Sequence, residues 1–163
     1  MPSTNTAQVS TPSDREIRIE RAFSAPRRLV YDAYTKPELV QRWLGNMPGW
    51  TWAKCEMEVR VGGRYHWIWK GPHDAALGIS GTYREIVPQQ RLVNTEQFDE
   101  AWYAGEALDT VVFTESDGRT MVTTTILYVS REVRDGALQS PMAEGMEQGY
   151  KALEALLDAE SKG

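Results

Sequence analysis

Residues 51–70 read TWAKCEMEVRVGGRYHWIWK. In the first half Ala53, Cys55, Met57 and Val59 alternate with Lys54, Glu56, Glu58 and Arg60. In the second half Tyr65, Trp67 and Trp69 alternate with Arg64, His66, Ile68 and Lys70. Successive side chains of a strand point to opposite faces, so a period of two predicts two half-buried strands. Gly62-Gly63 between them suits a tight turn or a bulge. The three rings of the second strand share one face, and that face needs a cover.

The same period continues downstream. Strands are expected over about Ile79–Val87, Arg91–Phe98, Leu108–Glu115 and Thr120–Val129. Asp117-Gly118 joins the last two, and this dipeptide favours a two-residue hairpin turn. Upstream, Glu16–Phe23 alternates Ile17 and Ile19 with charged residues, which predicts another strand. Ser24 and Pro26 suit the start of a short helix carrying Leu29, Val30 and Ala33. Thr35-Lys36-Pro37-Glu38 has the form of a capping box, opening a second helix with Leu39, Val40, Trp43 and Leu44 that Gly45 ends. After Ser130 the period turns helical: a short helix over Arg131–Leu138, then a restart at Ser140-Pro141. Met142, Met146, Tyr150, Leu153 and Leu157 form the apolar stripe of a long closing helix.

Strands joined in sequence form an antiparallel sheet, and only the terminal helix is large enough to cover it. The expected fold is therefore α+β: a curved antiparallel sheet around a long C-terminal helix, with two short helices after the first strand. Residues 15–160 form one domain on this reading. Residues 1–14, MPSTNTAQVSTPSD, carry too little apolar surface to offset their ordering entropy and read as a disordered polar tail.

The composition narrows the function. The 163 residues hold 18 Lys plus Arg against 23 Asp plus Glu, a net charge of −5. That balance argues against nucleic acid or an anionic lipid surface as a partner. No apolar run approaches a membrane span of about 20 residues, and the N-terminal stretch lacks the apolar segment of a secretory signal; a cytoplasmic location is expected. Cys55 is the only cysteine, and His66 and His73 are the only histidines, so no cofactor or metal-ligand set is suggested. The excess lies in aromatics, with six Trp and seven Tyr.

Several stretches together resemble one family: Arg21-Ala22-Phe23-Ser24-Ala25-Pro26, Thr35-Lys36-Pro37-Glu38 leading to Trp43, Arg60-Val61-Gly62-Gly63-Arg64-Tyr65, Gly81-Thr82-Tyr83-Arg84-Glu85-Ile86-Val87-Pro88, and Met142-Ala143-Glu144-Gly145-Met146 leading to Leu153. In this order they resemble the bacterial proteins similar to the activator of heat-shock-protein-ninety ATPase, within the START, polyketide-cyclase and birch-pollen-allergen-like (SRPBCC) superfamily. The resemblance covers about Glu16–Ala159 and implies a helix-grip fold, whose sheet and long helix enclose a cavity open at one end. Relatives bind lipids, hormones and polyketides, and some are cyclases or hydrolases; one group sequesters an enediyne antibiotic. The co-chaperone role belongs to larger proteins with an additional N-terminal domain, so a chaperone partner is not expected of this chain.

The leading expectation is binding of a small hydrophobic or polyaromatic molecule between sheet and helix. Trp43, Tyr65, Trp67, Trp69, Phe113, Met142, Met146 and Tyr150 are candidate walls, and Tyr83, Trp102 and Thr124 candidate polar tips. The competing reading is a closed aromatic core, which burial alone justifies at roughly 1.5–3 kcal/mol per large side chain. His66 lies opposite Tyr65 and Trp67 and is expected on the solvent face, as are Glu56, Glu58, Arg60 and Arg64. No catalytic constellation stands out. The alternatives are a cyclase, dehydratase or hydrolase acting on an aromatic or polyketide-like substrate in the same cavity, and a chaperone-interaction module. An exposed edge strand could support a homodimer.

Overall fold

Every period-two run in the sequence forms a strand in the computed structural model, which describes residues 6–101 and 103–162. The elements are β1 (Gln8–Ser10), β2 (Glu16–Phe23), α1 (Arg27–Thr35), α2 (Pro37–Val40), β3 (Thr51–Met57), β4 (Arg64–Lys70), β5 (Ala76–Val87), β6 (Arg91–Phe98), β7 (Ala107–Ser116), β8 (Arg119–Leu127), α3 (Arg131–Gln139) and α4 (Met142–Lys162). The strands form one sheet in the order β1-β2-β8-β7-β6-β5-β4-β3, and every neighbouring pair is antiparallel. This is the expected α+β helix-grip architecture. No helix among the described residues is long and apolar enough to cross a membrane.

The turns follow from backbone chemistry. Asp117 and Gly118 both have positive φ, 53° and 75°, as a two-residue turn matched to the twist of its strands requires. Ser130 caps α3 by accepting a hydrogen bond from the Val133 N–H at 3.2 Å.

Three local expectations are corrected. Residues 8–10 of the expected tail form β1, which pairs with Arg18–Glu20, and the Ala7 N–H donates to Glu147 Oε1 at 2.9 Å. A polar segment orders there because β2 would otherwise present an edge of unpaired backbone groups; residues 1–5 lie outside the described residues. Neither Ser24 nor Thr35 caps a helix. Pro26 and Lys36 occupy the N-cap positions of α1 and α2 with no side-chain hydrogen bond. The Thr35 hydroxyl instead donates back to the Tyr31 carbonyl at 2.9 Å, so the capping box does not form. The second helix is correspondingly short, and Trp43 and Leu44 lie in the turns after Val40.

The pairing registers sort each strand into an inner face toward the helices and an outer face. Ile17, Ile19, Arg21 and Phe23 of β2 stand beside Ile126, Thr124, Val122 and Thr120 of β8. With Val111 and Phe113 of β7 they meet Tyr150, Leu153, Leu156 and Leu157 of α4 in one core. Ile17, Ile19, Phe23 and Leu153 are wholly buried. Arg21 is the charged exception. Its guanidinium is 3% exposed, reaches Glu147 at 3.5 Å and Glu154 at 3.0 Å on α4, and lies 4.8 Å from the Phe23 ring centre.

Candidate ligand-binding site

On the other half of the sheet, the inner face is aromatic. Trp52 lies 4.6 Å from Trp69 between ring centres, Trp69 lies 6.4 Å from Trp67, Trp67 4.4 Å from Tyr65, and Tyr65 5.5 Å from Tyr83. Five rings thus form a continuous wall across β3, β4 and β5. Trp52 joins it through a β-bulge: the register shifts between Trp52 and Lys54. Ala53, the extra residue, is left exposed. A strict alternation would have placed Trp52 outside with Lys54.

Two glycines make room for this wall. A Cβ at Gly45, where φ is +70°, would sit 2.4 Å from Trp69 Nε1. A Cβ at Gly81 would sit 1.9 Å from the Thr95 carbonyl and 2.8 Å from the Tyr65 ring. Tyr65 leans across Gly81, and its hydroxyl donates to the Thr95 carbonyl at 2.5 Å while accepting from Asn94 Nδ2 at 3.1 Å. Tyr65, Trp69 and Tyr83 are 3–4% exposed, but Trp67 is only half-buried. Trp67 Nε1 is shielded from solvent and has no hydrogen-bond partner.

Beyond Gly81 the inner face turns acidic. Asn94 stands directly opposite Asp109, and Glu96 opposite Ala107. Glu96 and Asp109 hydrogen-bond to one another. Burial pushes both carboxyls up, and Asp109 well above the usual carboxylate range, helped by the charge of Glu96 and the bond to it. That bond opposes the rise at Glu96, and the two carboxyls share a proton. The Asp109 Oδ1 atom is sealed from solvent with no partner. Tyr65, Tyr103 and Tyr128 are held protonated around the pair, by burial first and then by the two acids; Tyr103 is pushed up to about 12. The Tyr128 hydroxyl reaches Met142 Sδ at 3.7 Å, bringing the start of α4 to this end.

Residues 24–158 match the family described as Activator of Hsp90 ATPase homolog 1-like protein. The chain belongs to this family, within the SRPBCC superfamily. A crystal structure of a Rhodobacter sphaeroides protein is similar at 30% identity and a TM-score of 0.86, covering 93% of this chain and 98% of that one. Ms6760 from Mycobacterium smegmatis is 22% identical, with a TM-score of 0.82 over 96% and 97% of the two chains. CalU16 from Micromonospora echinospora is 16% identical, with a TM-score of 0.63 over 99% and 90%. These last two share the fold. Among curated proteins none matches.

In this family member the residues singled out from sequence divide into two groups. Tyr65, Trp67, Trp69 and Tyr83 form the wall. Trp43, Phe113, Thr124 and Tyr150 belong to packed interior. The Trp43 indole donates to the Ala33 carbonyl at 2.8 Å and stacks on Tyr150 at 6.4 Å. Phe113 meets the rings of Tyr31 and Tyr34 edge-on. Thr124 and Tyr34 hydrogen-bond to Tyr150, whose phenol burial pushes up to about 12. Met142 and Met146 are half-buried against this core, and Trp102 lies outside the described residues. Gly149 lets α4 approach the Trp43 backbone closely, since a Cβ there would lie 3.3 Å from the Trp43 carbonyl.

Trp52, Asn94, Glu96, Asp109, Tyr103 and Tyr128 were not anticipated. The acids did carry a signal: Glu96 shares parity with Leu92 and Phe98, and Asp109 with Ala107, Val111 and Phe113.

His66 is on the outer face as expected. Its Nε2 lies 2.8 Å from Asp99 Oδ2, and its Nδ1 3.1 Å from Lys54 Nζ. A cleft of about 560 Å³ opens there, lined in part by Glu56, Arg64, His66 and Ser80. A second, of about 330 Å³, lies by Arg27, Arg91 and Phe113. Neither is bordered by α4.

Proposed function

We propose that this protein binds a flat, largely apolar small molecule against the Trp52–Trp69–Trp67–Tyr65 wall, beneath the start of α4. One observation carries the reading: five inner-face rings run continuously, and the central one, Trp67, is only half-buried and keeps an unpartnered indole N–H. A sealed core would bury that ring, as it buries Trp69. Half-buried Met142 and Met146 supply the flexible cover that moves aside for the ligand. The ligand-binding fold of the family supports the reading. Trp43, Phe113, Thr124 and Tyr150 are left out of the contact surface because their packing is complete without a guest.

The proposal extends to a cytoplasmic protein, in keeping with the free thiol of Cys55, and to a homodimer through β3, an edge of the sheet. A second reading, proton transfer to a bound aromatic or polyketide-like substrate, is favoured by the acid pair at the end of the wall. The test uses acridone, a neutral tricycle, as a probe of tryptophan fluorescence. Trp67→Ala weakens its binding about tenfold or more, the scale of one lost aromatic contact in a binding pocket, and His66→Ala leaves it unchanged. Equal loss from both variants contradicts the assignment of faces.

A further inference from the structure

Resting on the binding site proposed above, we infer that the ligand carries a protonated amine, held by Glu96 and Asp109 while its flat body lies on Trp67 and Tyr65. Three observations converge. The first is placement. In the inner-face registers Tyr65 stands beside Gly81, and Trp67 beside Ile79 and then Phe98. Glu96 lies two residues before Phe98 on the same strand face, with Gly81 between it and Tyr65. The acids therefore border the aromatic wall, one row from its half-buried ring.

The second is charge. Two carboxyls sharing one proton keep one negative charge. Among the described residues, no lysine, arginine or histidine makes an ion pair with either. The buried cation of the inner face, Arg21, is matched by Glu147 and Glu154 of α4. What faces the acids is neutral: Tyr65 from β4, Asn94 beside them on β6, Tyr103 from the loop before β7, and Tyr128 after β8. Met142 of α4 contributes a thioether through Tyr128. Charges partly withdrawn from water are normally paired, and this half-buried pair takes its cation from outside the chain.

The third is the unused acceptor. Asp109 Oδ1 is sealed and receives no hydrogen bond. An ammonium supplies both the missing donor and the missing charge. A hydroxyl or amide supplies only the donor, and an anion is repelled. The adjoining ring faces are also electron-rich and attract cations.

Binding of a cation lowers the proton affinity of the acid pair, so a fraction of the shared proton is released to solvent. Calorimetry on the full chain tests this, with proflavine as the cationic tricycle and acridone as its neutral counterpart, between about pH 5 and 8 in buffers of differing ionisation enthalpy. Proflavine is expected to bind at least about tenfold tighter than acridone, the scale of one charge-assisted contact. It releases protons on binding and tightens as pH rises, whereas acridone shows neither effect. The Glu96→Gln/Asp109→Asn double variant is expected to bring proflavine to the acridone level and abolish its proton release, because either single variant keeps one carboxylate. Equal affinities and no proton release in the unmodified protein overturn the amine inference and leave the aromatic site standing. Retained proflavine preference in the double variant overturns it as well. Failure of both tricycles to bind removes the site itself. Should a variant fail to fold, the proton release of the unmodified protein decides the matter alone.

Discussion

Raising the pH from 5 to 7 should weaken the fold through Glu96 and Asp109. In the unfolded chain these carboxyls lose their protons near pH 4. In the folded chain burial holds both pKa values higher, and Asp109 well above the ordinary range. Between the unfolded and folded values the native state binds more protons, so stability is fully present below about pH 4 and is lost as pH climbs through the folded pKa. Each proton retained only by the native state costs about 1.4 kcal/mol per pH unit. Each pH unit at that slope is a sizeable share of a typical 5–15 kcal/mol. Urea unfolding at several pH values measures this, with the Glu96→Gln/Asp109→Asn double variant as control. The gap between the two proteins isolates the pair from every other titration. It should swing in favour of the double variant as pH rises. Parallel curves over that range refute the buried, proton-sharing pair.

Two further substitutions test the framework around the site. Gly81→Ala places a Cβ 1.9 Å from the Thr95 carbonyl and 2.8 Å from the Tyr65 ring. Backbone cannot yield as a flexible side chain would, so a loss of about 1–3 kcal/mol or more is expected in thermal unfolding, with Tyr65 displaced. Arg21→Met leaves Glu147 and Glu154, 20% and 31% exposed, without their buried cation. Their partial solvation places the cost at the lower end for a broken buried pair, about 3 kcal/mol, readable as a shift in the urea midpoint; a neutral result shows that the ion pair holds nothing together.

The sheet was legible because period-two runs and turn residues agreed. Glu16–Phe23 and Arg91–Phe98 are strands with the bounds their alternation implies, and Asp117-Gly118 turns where that dipeptide should. What escaped depends on partners distant in sequence. β1 forms because β2 has an edge to offer, and nothing within Gln8–Ser10 announces that. Trp52 faces inward because one extra residue shifts its register, and a bulge leaves no local sign at Ala53. The acid pair was readable as parity, but parity names a face only once the register of β6 against β7 is known. The Thr35 box failed because that hydroxyl found a nearer acceptor in the turn before it.

The central claim is that a ligand seats on the inner aromatic wall. Uniformly nitrogen-labelled protein, with backbone amides and indole N–H groups followed by NMR as acridone is added, tests it most directly. Resonances of Trp52, Trp67 and Trp69 should shift together, Trp67 most, while Trp43, tied to the Ala33 carbonyl, stays in place. Unmoved indoles with changes confined to Lys54, His66 and Asp99 would put the ligand on the outer face and contradict the account.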